Sequence, residues 1–524
     1  MKRLMWIIVL LTAAFIAFSF FELRHLLFGL IVLVLLIFLG IYDTLQTKHA
    51  VLRNFPVIGH FRYILEFIRP EIQQYFIASD QSERPFSREI RNLVYQRAKG
   101  VRDTTSFGTQ HDIDRPGYTY ARHSLRPAIF DKNELRIRIG SDQCNQPYVA
   151  SRLNISGMSY GALSKNAVIA LNTGAKLGNF AHNTGEGGLT PYHLAGGGDI
   201  IMQLGTAYFG CRTASGMLDE ALFIEKAHLP TVKMIEIKLS QGAKPSHGGV
   251  LPAAKITEEI AKIRHIPLNQ DCVSPPIHPE FSTPEGLLHF VARLRKLSDG
   301  KPIGLKLCLG VRSEFLSICK AMLKTGIVPD YISIDGAEGG TGAAPVEFVN
   351  NIGEPLNDAL IFIHNALVGV GLRDQIRLIA SGKIATGLDM ITKFALGADL
   401  CNSARAMMFA LGCIQAMQCN ANTCPTGVTT QNPFLYRGLV IKDKSVRVAN
   451  FHKALLESCV DLAQAIGVAY LNDLAPHHIA LRVAAAKTKT YAELYTHLTP
   501  RQLLGNEIPE FIAEDWQLAS AERF

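Results

Sequence analysis

The stretch Tyr331-Ile332-Ser333-Ile334-Asp335-Gly336-Ala337-Glu338-Gly339-Gly340-Thr341-Gly342 is an apolar run of strand length that ends in a glycine-rich polar cluster. The same grammar recurs outward from it. Arg152 to Ser156 runs into Gly157-Met158-Ser159-Tyr160-Gly161, and Leu378 to Ser381 runs into Gly382-Lys383. Ile235 to Lys238, Ile303 to Cys308 and Asp399 to Ser403 are further runs of strand length, with helical patterns between them. Strands that alternate with helices predict parallel βα units. Small residues at the carboxyl ends of the strands let a ligand approach the backbone. In a (β/α)8 barrel that end is the active face, and the loops after the last two strands are the usual phosphate site. The predicted fold class is therefore α/β, a TIM-type (β/α)8 barrel with an N-terminal transmembrane helical hairpin. A doubly wound sheet ranks second, because no G-x-G-x-x-G opens a helix after a strand.

Composition narrows the class. The chain has 524 residues, 48% hydrophobic and 19% charged, with a mean hydropathy of +0.15, which excludes a disordered tail or a small disulfide module. Ten cysteines are too few for a disulfide scaffold at this length, and 43 glycines without a triplet period exclude collagen. The net charge of +8 is spread out, and with no basic stripe no nucleic-acid partner is expected. Met5 to Phe21 and Leu26 to Tyr42 are apolar runs split by Glu22-Leu23-Arg24-His25, each about long enough to cross a bilayer. A cleaved signal peptide is the lesser reading, since the second run follows at once and no small-residue cleavage pattern precedes Glu22. Lys2, Arg3, Lys48, Arg53 and Arg62 flank the pair, so the positive-inside bias places both ends and the body in the cytoplasm. The expectation is a multi-pass protein of the cell inner membrane with reduced thiols. Residues 1–45 read as the hairpin, and 46–126 as a helical collar with amphipathic segments at Arg69 to Phe76 and Arg88 to Lys99. Residues 127–435 read as the barrel, and 436–524 as a C-terminal helical extension.

Cys413, Cys419 and Cys424 stand close together, with Pro425 after the last, much as proline follows the last cysteine in bacterial ferredoxin runs. Three close thiolates suit an iron–sulfur cluster; three buried free cysteines are the bland alternative. Zinc would want a fourth ligand nearby, and His452 and His477 are poorly placed for a compact site.

Together these motifs resemble the central flavin and iron–sulfur domains of glutamate synthase, in the stand-alone, membrane-anchored form. The collinear match runs from about Ile155 to Pro433. It takes in Gly157 to Gly161, Asn183-Thr184-Gly185-Glu186-Gly187-Gly188, Lys238 to Pro252, Ser274-Pro275-Pro276 with His278, Gly339 to Gly342 and the cysteine triplet. The resemblance implies FMN at the carboxyl face of the barrel and a [3Fe–4S] cluster on Cys413, Cys419 and Cys424 in segment 413–424. Met1-Lys2-Arg3 leads straight into an apolar run, and roughly one hundred residues follow Cys424, less than a typical full domain. The expectation is hence a chain with no glutaminase, no β-helical domain and no NAD(P)H-binding half. Its electrons would come from a separate donor, a ferredoxin or a reductase subunit.

The resemblance assigns roles to individual residues. Lys244, Glu186 and Arg264 are the catalytic candidates. Lys244 would act on the substrate and Glu186 would hold an ammonium or imine. Arg264 would clamp a carboxylate with its planar fork. Met158, Ser159, Gln241, Lys306, Gly339 and Gly340 are placed on the flavin. Ser381, Gly382, Ser403 and Ala404 are placed on its phosphate, at the starts of the helical stretches Thr386 to Leu396 and Arg405 to Leu411. His278 and His364 read as structural. The chain departs from the family at Val250, where the family has a substrate-contacting glutamine, and at His247, which replaces an acid. An apolar group in place of an amide changes substrate discrimination. The expected function is a membrane-anchored oxidoreductase that reduces an imine of 2-oxoglutarate, or of a related 2-oxo acid, with ammonia or an amine, giving glutamate or an N-substituted relative. A membrane-attached electron-transfer subunit is the rival reading, and a scaffold that kept the fold without the chemistry is a third.

Overall fold

The computed structural model describes residues 2–19, 25–101 and 103–524. It divides into two compact units, Met1–Glu89 and Ile90–Phe524. In the larger unit eight parallel strands close into a barrel in chain order. They are β1 Leu153–Ile155, β2 His182–Asn183, β3 Ile200–Leu204, β4 Val232–Lys238, β5 Ile303–Leu307, β6 Tyr331–Asp335, β7 Arg377–Ser381 and β8 Leu400–Ser403. Six coincide with the apolar runs named above. β2 is two residues long and polar, so no run marks it, and β3 follows the glycines Gly196 to Gly198. Both are held by pairing, His182 with Ile155 on one side and Ile200 on the other.

Because side chains alternate along a strand, each strand sends every second residue inward. The lower interior layer is apolar: Ala181, Ile201, Met234, Tyr331, Ile379 and Leu400 meet Ile137, Ile139, Tyr148 and Ala150 of an antiparallel hairpin. That hairpin, Arg136–Ile139 with Tyr148–Ser151, closes the amino end of the barrel. Tyr331 fills the centre and donates its hydroxyl to the carbonyl of Ile235 at 2.9 Å. A Cβ on Gly304 would lie 2.3 Å from the Tyr331 ring, so the neighbouring strand β5 needs glycine there. The next layer up is polar, with Asn183, Gln203 and Glu236; Lys238, Lys306, Asp335 and Ser381 then lead to the carboxyl face. The interior is thus dry at its base and polar toward the top.

The helix Ile441–Ile466 packs on the helix Lys165–Gly178 that follows β1, where Gly174 lets Val448 and Ser445 approach its backbone. The C-terminal region 436–524, expected to be helical, also contributes the strands Ile479–Ala484 and Lys487–Thr490. These form a three-stranded antiparallel sheet with Thr119–Ala121. Short, polar strands such as Lys487-Thr488-Lys489-Thr490 carry no apolar run to announce them.

In the smaller unit the helices Lys2–Ser19 and His25–Leu45 pack against each other, with Gly29 close to the ring of Phe15. Leu27–Leu45 is long and apolar enough to cross a membrane, whereas the apolar part of the first helix, Met5–Phe18, is shorter. The charged break Glu22-Leu23-Arg24, with Phe20 and Phe21, lies outside the described residues. Farther on, the expected segment Arg69 to Phe76 does not start a helix at Pro70 but spans the end of the helix His60–Ile72 and the π-helical turn Gln73–Ile77, while the second expected segment is the helix Arg88–Lys99, which runs on into the larger unit.

Candidate active site at the carboxyl face of the barrel

Strand β4 ends at Lys238, and the chain leaves through Leu239-Ser240-Gln241-Gly242-Ala243-Lys244. The Lys238 ammonium pairs with Glu186, from the loop after β2, at 2.8 Å. Its backbone carbonyl accepts from Nε2 of His278 at 2.9 Å, and Nδ1 of the same ring meets the Tyr208 hydroxyl at 2.8 Å. Burial presses His278 down to about 4, so it is a neutral strut for the strand end. Lys238 reads from the sequence as a strand-end cation with Gln241 and Lys244, and its pairing with Glu186 is what the sequence did not announce. Its position at a strand terminus, one residue from a glycine-bearing loop, was the available signal.

Glu186 is the hub. Burial pushes its carboxyl upward, but Lys238, Lys244 and Arg264 outweigh that and hold it below the usual range. Gly249 comes so close to this carboxylate that a Cβ would lie 2.5 Å from Oε1. The buried Lys244 ammonium donates to the carbonyl of Ala343 at 2.9 Å, in the loop after β6. Burial lowers Lys244 to about 8, against the raising effect of Glu186 and with a further lowering from Lys238. It therefore carries a proton that it can release near neutral pH.

Arg264 ends a short helix, Glu258–Arg264, in the insertion between β4 and β5. It is buried, donates to the carbonyl of Tyr160 at 2.9 Å and stands over the ring of Phe209 at 5.0 Å. Glu259 of this helix accepts from the Tyr160 hydroxyl and from the Tyr192 hydroxyl, each at 2.7 Å. This carboxylate, unmarked in the sequence reading, seats the arginine on the loop after β1. Val250 lies in a two-residue strand, Val250–Leu251, paired with Cys272–Val273 to form a flap ahead of Arg264. His247 stacks edge-on against Phe348 with ring centroids 5.2 Å apart.

The three catalytic candidates are thus brought together, and several cofactor candidates lie around them. Nε2 of Gln241 is buried with no hydrogen-bond partner among the described residues. Lys306 is buried, 3.8 Å from Asp335, whose other oxygen accepts from the Gly242 amide at 2.9 Å. Gly185 packs on the backbone of Met158 and Ser159, and Gly339 turns back to the carbonyl of Gly336. An orphaned amide, nearby cations and Cβ-free backbone fit a flat, hydrogen-bonding cofactor such as FMN.

Several of the groups expected at the phosphate already have protein partners. The helix Gly387–Ala395 has its own capping box, Thr386 with Asp389, which engages the amides of Ala385, Thr386 and Asp389. The Ser403 hydroxyl is donated to the carbonyl of Ile384 at 2.7 Å, and Ser381 faces Ser156 at 3.3 Å. What remains is the backbone of Gly382 and Ala404, with Arg405 packed on Gly340. Glu338 lies beside Gly382 as well, so an anion there depends on Arg405 for counter-charge.

Cys413, Cys419 and Cys424 are free thiols, and no group of three His, Cys, Asp or Glu residues among those described is arranged for a metal ion. Burial and then, after the opposing pull of the Gln415 amide, the charges of Cys419 and Cys424 push Cys413 up to about 12. Cys424 is also raised by burial, yet hydrogen bonds at Thr426 and Thr429 bring it below its usual value. The segment is tied down by Tyr95, which donates to the carbonyl of Cys413 at 2.6 Å, and by Lys255, which donates to the carbonyls of Ala162 and Cys419 at 2.6 and 3.2 Å. Cys413 and Lys255 both feel the charges of Cys419 and Cys424, so the three sulfurs share one electrostatic neighbourhood.

A cavity lies toward each end of the barrel. One of about 260 Å³ borders the Arg264 flap, lined by Phe209, Arg212, Cys272 and Pro275. A larger one, about 500 Å³, lies at the amino end by Tyr148, Lys233 and Lys301, which in this fold is the end devoted to stability.

A closed parallel barrel with an ion-paired cationic cluster at its carboxyl face is an enzyme of the (β/α)8 class. Residues 115–469 match the family described as the conserved region in glutamate synthase, and the chain belongs to that family of oxidoreductases. It is 38% identical over 497 residues to the glutamate synthase large subunit-like protein YerD of Bacillus subtilis, covering 87% of this chain and 94% of that one. An archaeal-type glutamate synthase (NADPH) of Thermotoga neapolitana is 31% identical over 362 residues, 69% of this chain and 68% of its own. The archaeal glutamate synthase (NADPH) of Methanocaldococcus jannaschii is 34% identical over 329 residues, 63% and 61% of the two chains.

Proposed function

We propose that this chain is a membrane-anchored flavin and iron–sulfur oxidoreductase that reduces the imine of a 2-oxo acid to an amino acid. The observation that carries the reading is the convergence of Lys238, Lys244 and Arg264 on Glu186. Reduction of an imine needs a hydride at carbon and a proton at nitrogen. Bound FMN would supply the hydride. Lys244 holds the proton, Glu186 takes the ammonium character of the substrate nitrogen, and Arg264 takes a carboxylate of the acid. Gln241, Lys306 and the backbone of Met158, Ser159, Gly339, Gly340, Gly382 and Ala404 would hold the flavin. Cys413, Cys419 and Cys424 would hold a [3Fe–4S] cluster, with electrons delivered by a ferredoxin or a reductase subunit. The helix Leu27–Leu45 supports a membrane anchor, and the flanking Lys2, Arg3, Lys48 and Arg53 are the ground for placing the barrel on the cytoplasmic side of the inner membrane. The substrate pair would be 2-oxoglutarate or a related acid with ammonia or an amine. The apolar Val250 beside the site favours a relative of 2-oxoglutarate, or the rival role of electron-transfer subunit.

The test is anaerobic reduction of the purified protein, followed by a screen of 2-oxo acids with ammonia and with methylamine for reoxidation. Arg264→Ala should keep the cofactor and lose transition-state stabilisation of about 2–5 kcal/mol toward a dicarboxylic 2-oxo acid, as expected when one partner of a buried charged contact is removed. Unchanged turnover by Arg264→Ala, or no reoxidation by any acid, would leave the electron-transfer role as the better reading.

A further inference from the structure

The helix His60–Ile72 buries none of its residues. Phe61, Ile64, Leu65 and Ile68 share one face by their spacing of three and four, and all are exposed, Phe61 at 66%. Arg62, Glu66 and Arg69 line one flank of that stripe, with Arg62 and Glu66 paired at 3.9 Å. The apolar exposure continues into the next turn, where Phe76 is 84% exposed. A helix on a water-facing surface turns such a stripe inward. Here the stripe faces out, and it follows, after the short helix Ala50–Asn54, the helix containing Leu27–Leu45, which is long and apolar enough to cross a bilayer.

The two are joined by a fixed corner. Asp43, fully buried near the end of that helix, accepts from the Val57 amide at 2.9 Å and from Nε2 of His60 at 3.0 Å. Gly59 closes the turn, since a Cβ there would lie 2.8 Å from the carbonyl of Phe55 and 2.9 Å from the Leu52 side chain. Lys48, Arg53, Arg62 and Arg69 place cations along the corner and the helix. Exposed apolar face, flanking cations and a rigid link to a spanning helix are the marks of a segment lying in the membrane interface.

We propose that the segment from Phe55 to Ile77 lies in the interface of the same bilayer that Leu27–Leu45 crosses, with Phe61, Ile64, Leu65 and Ile68 among the acyl chains and Arg62 and Arg69 at anionic headgroup phosphates. This rests on the anchoring reading above. It adds a second membrane contact that orients the chain as it leaves the bilayer.

The experiment uses the full chain in vesicles of phosphatidylcholine and phosphatidylglycerol that carry brominated acyl chains, which quench nearby indoles. Native Trp6 reports the anchor. Phe61→Trp, placed in a Trp6→Phe, Trp516→Phe background, reports the interface helix. The expected result is loss of most of the fluorescence from both reporters, with the Phe61→Trp indole quenched more by bromines near the headgroup than by bromines near the chain end. Quenching of Trp6 without quenching of the Phe61→Trp indole overturns the interface helix and leaves the anchor standing. No quenching of either removes the anchor and the proposal together. An indole at this position shielded from both brominated lipid and aqueous acrylamide is covered by protein, which also overturns it.

Discussion

Lys244 sets the pH response of the site. Its ammonium titrates near 8 because burial outweighs the attraction of Glu186. The proton needed at the substrate nitrogen is present below that pH and lost above it. Turnover limited by proton delivery should therefore be level up to about pH 8 and fall about tenfold per unit beyond it. A pH–rate profile of single-turnover reoxidation checks this, and a profile flat to pH 10 would remove Lys244 from the role. The stability effect runs the other way. A lysine whose folded pKa lies below its unfolded value leaves the unfolded chain binding more protons between those two values, so stability rises with pH across that window. Lys244→Met accordingly should abolish the pH step without lowering the melting temperature. Lys244, Glu186 and Arg264 were marked by the resemblance to the family, since on position alone each reads as an ordinary charged residue. The sequence did not mark Glu259, whose role depends on Tyr160 and Tyr192 meeting it from a distant loop.

Two elements carry predictions of their own. Gly304→Ala on β5 drives a methyl group into the Tyr331 ring, with no slack in the lower layer of the barrel. Overpacking of this kind costs about 1–3 kcal/mol, read as a lower midpoint in urea unfolding with an unchanged slope. The cysteine segment is different, because it lies outside the strands. Cys424→Ser should remove iron and sulfide from anaerobically purified protein while leaving the far-ultraviolet circular dichroism unchanged. Wild-type protein without iron or sulfide, before or after reconstitution, would rule out the cluster. At this scale most strands were legible, since β1 and β4 to β8 are apolar runs. β2 and the strand Lys487–Thr490 were not, because their stability comes from neighbours they pair with rather than from their own residues.

For the whole molecule, the proposed topology predicts that a reporter active only in the cytoplasm works when fused after Phe524, and that one active only outside it does not. The reverse result would overturn the cytoplasmic assignment. The sequence by itself determined six of the eight barrel strands, the glycine-rich loops at their ends and the apolar N-terminal runs, because each is written in contiguous residues, and its ordered motifs carried the resemblance to the family. Only the tertiary structure decided that Lys238 completes the cluster on Glu186, that Tyr331 and a hairpin seal the amino end, and that the Thr386 helix start is already capped by Asp389. Those outcomes depend on which side chains meet across the barrel. Closing eight strands sets that through register and layer, and no local pattern encodes it.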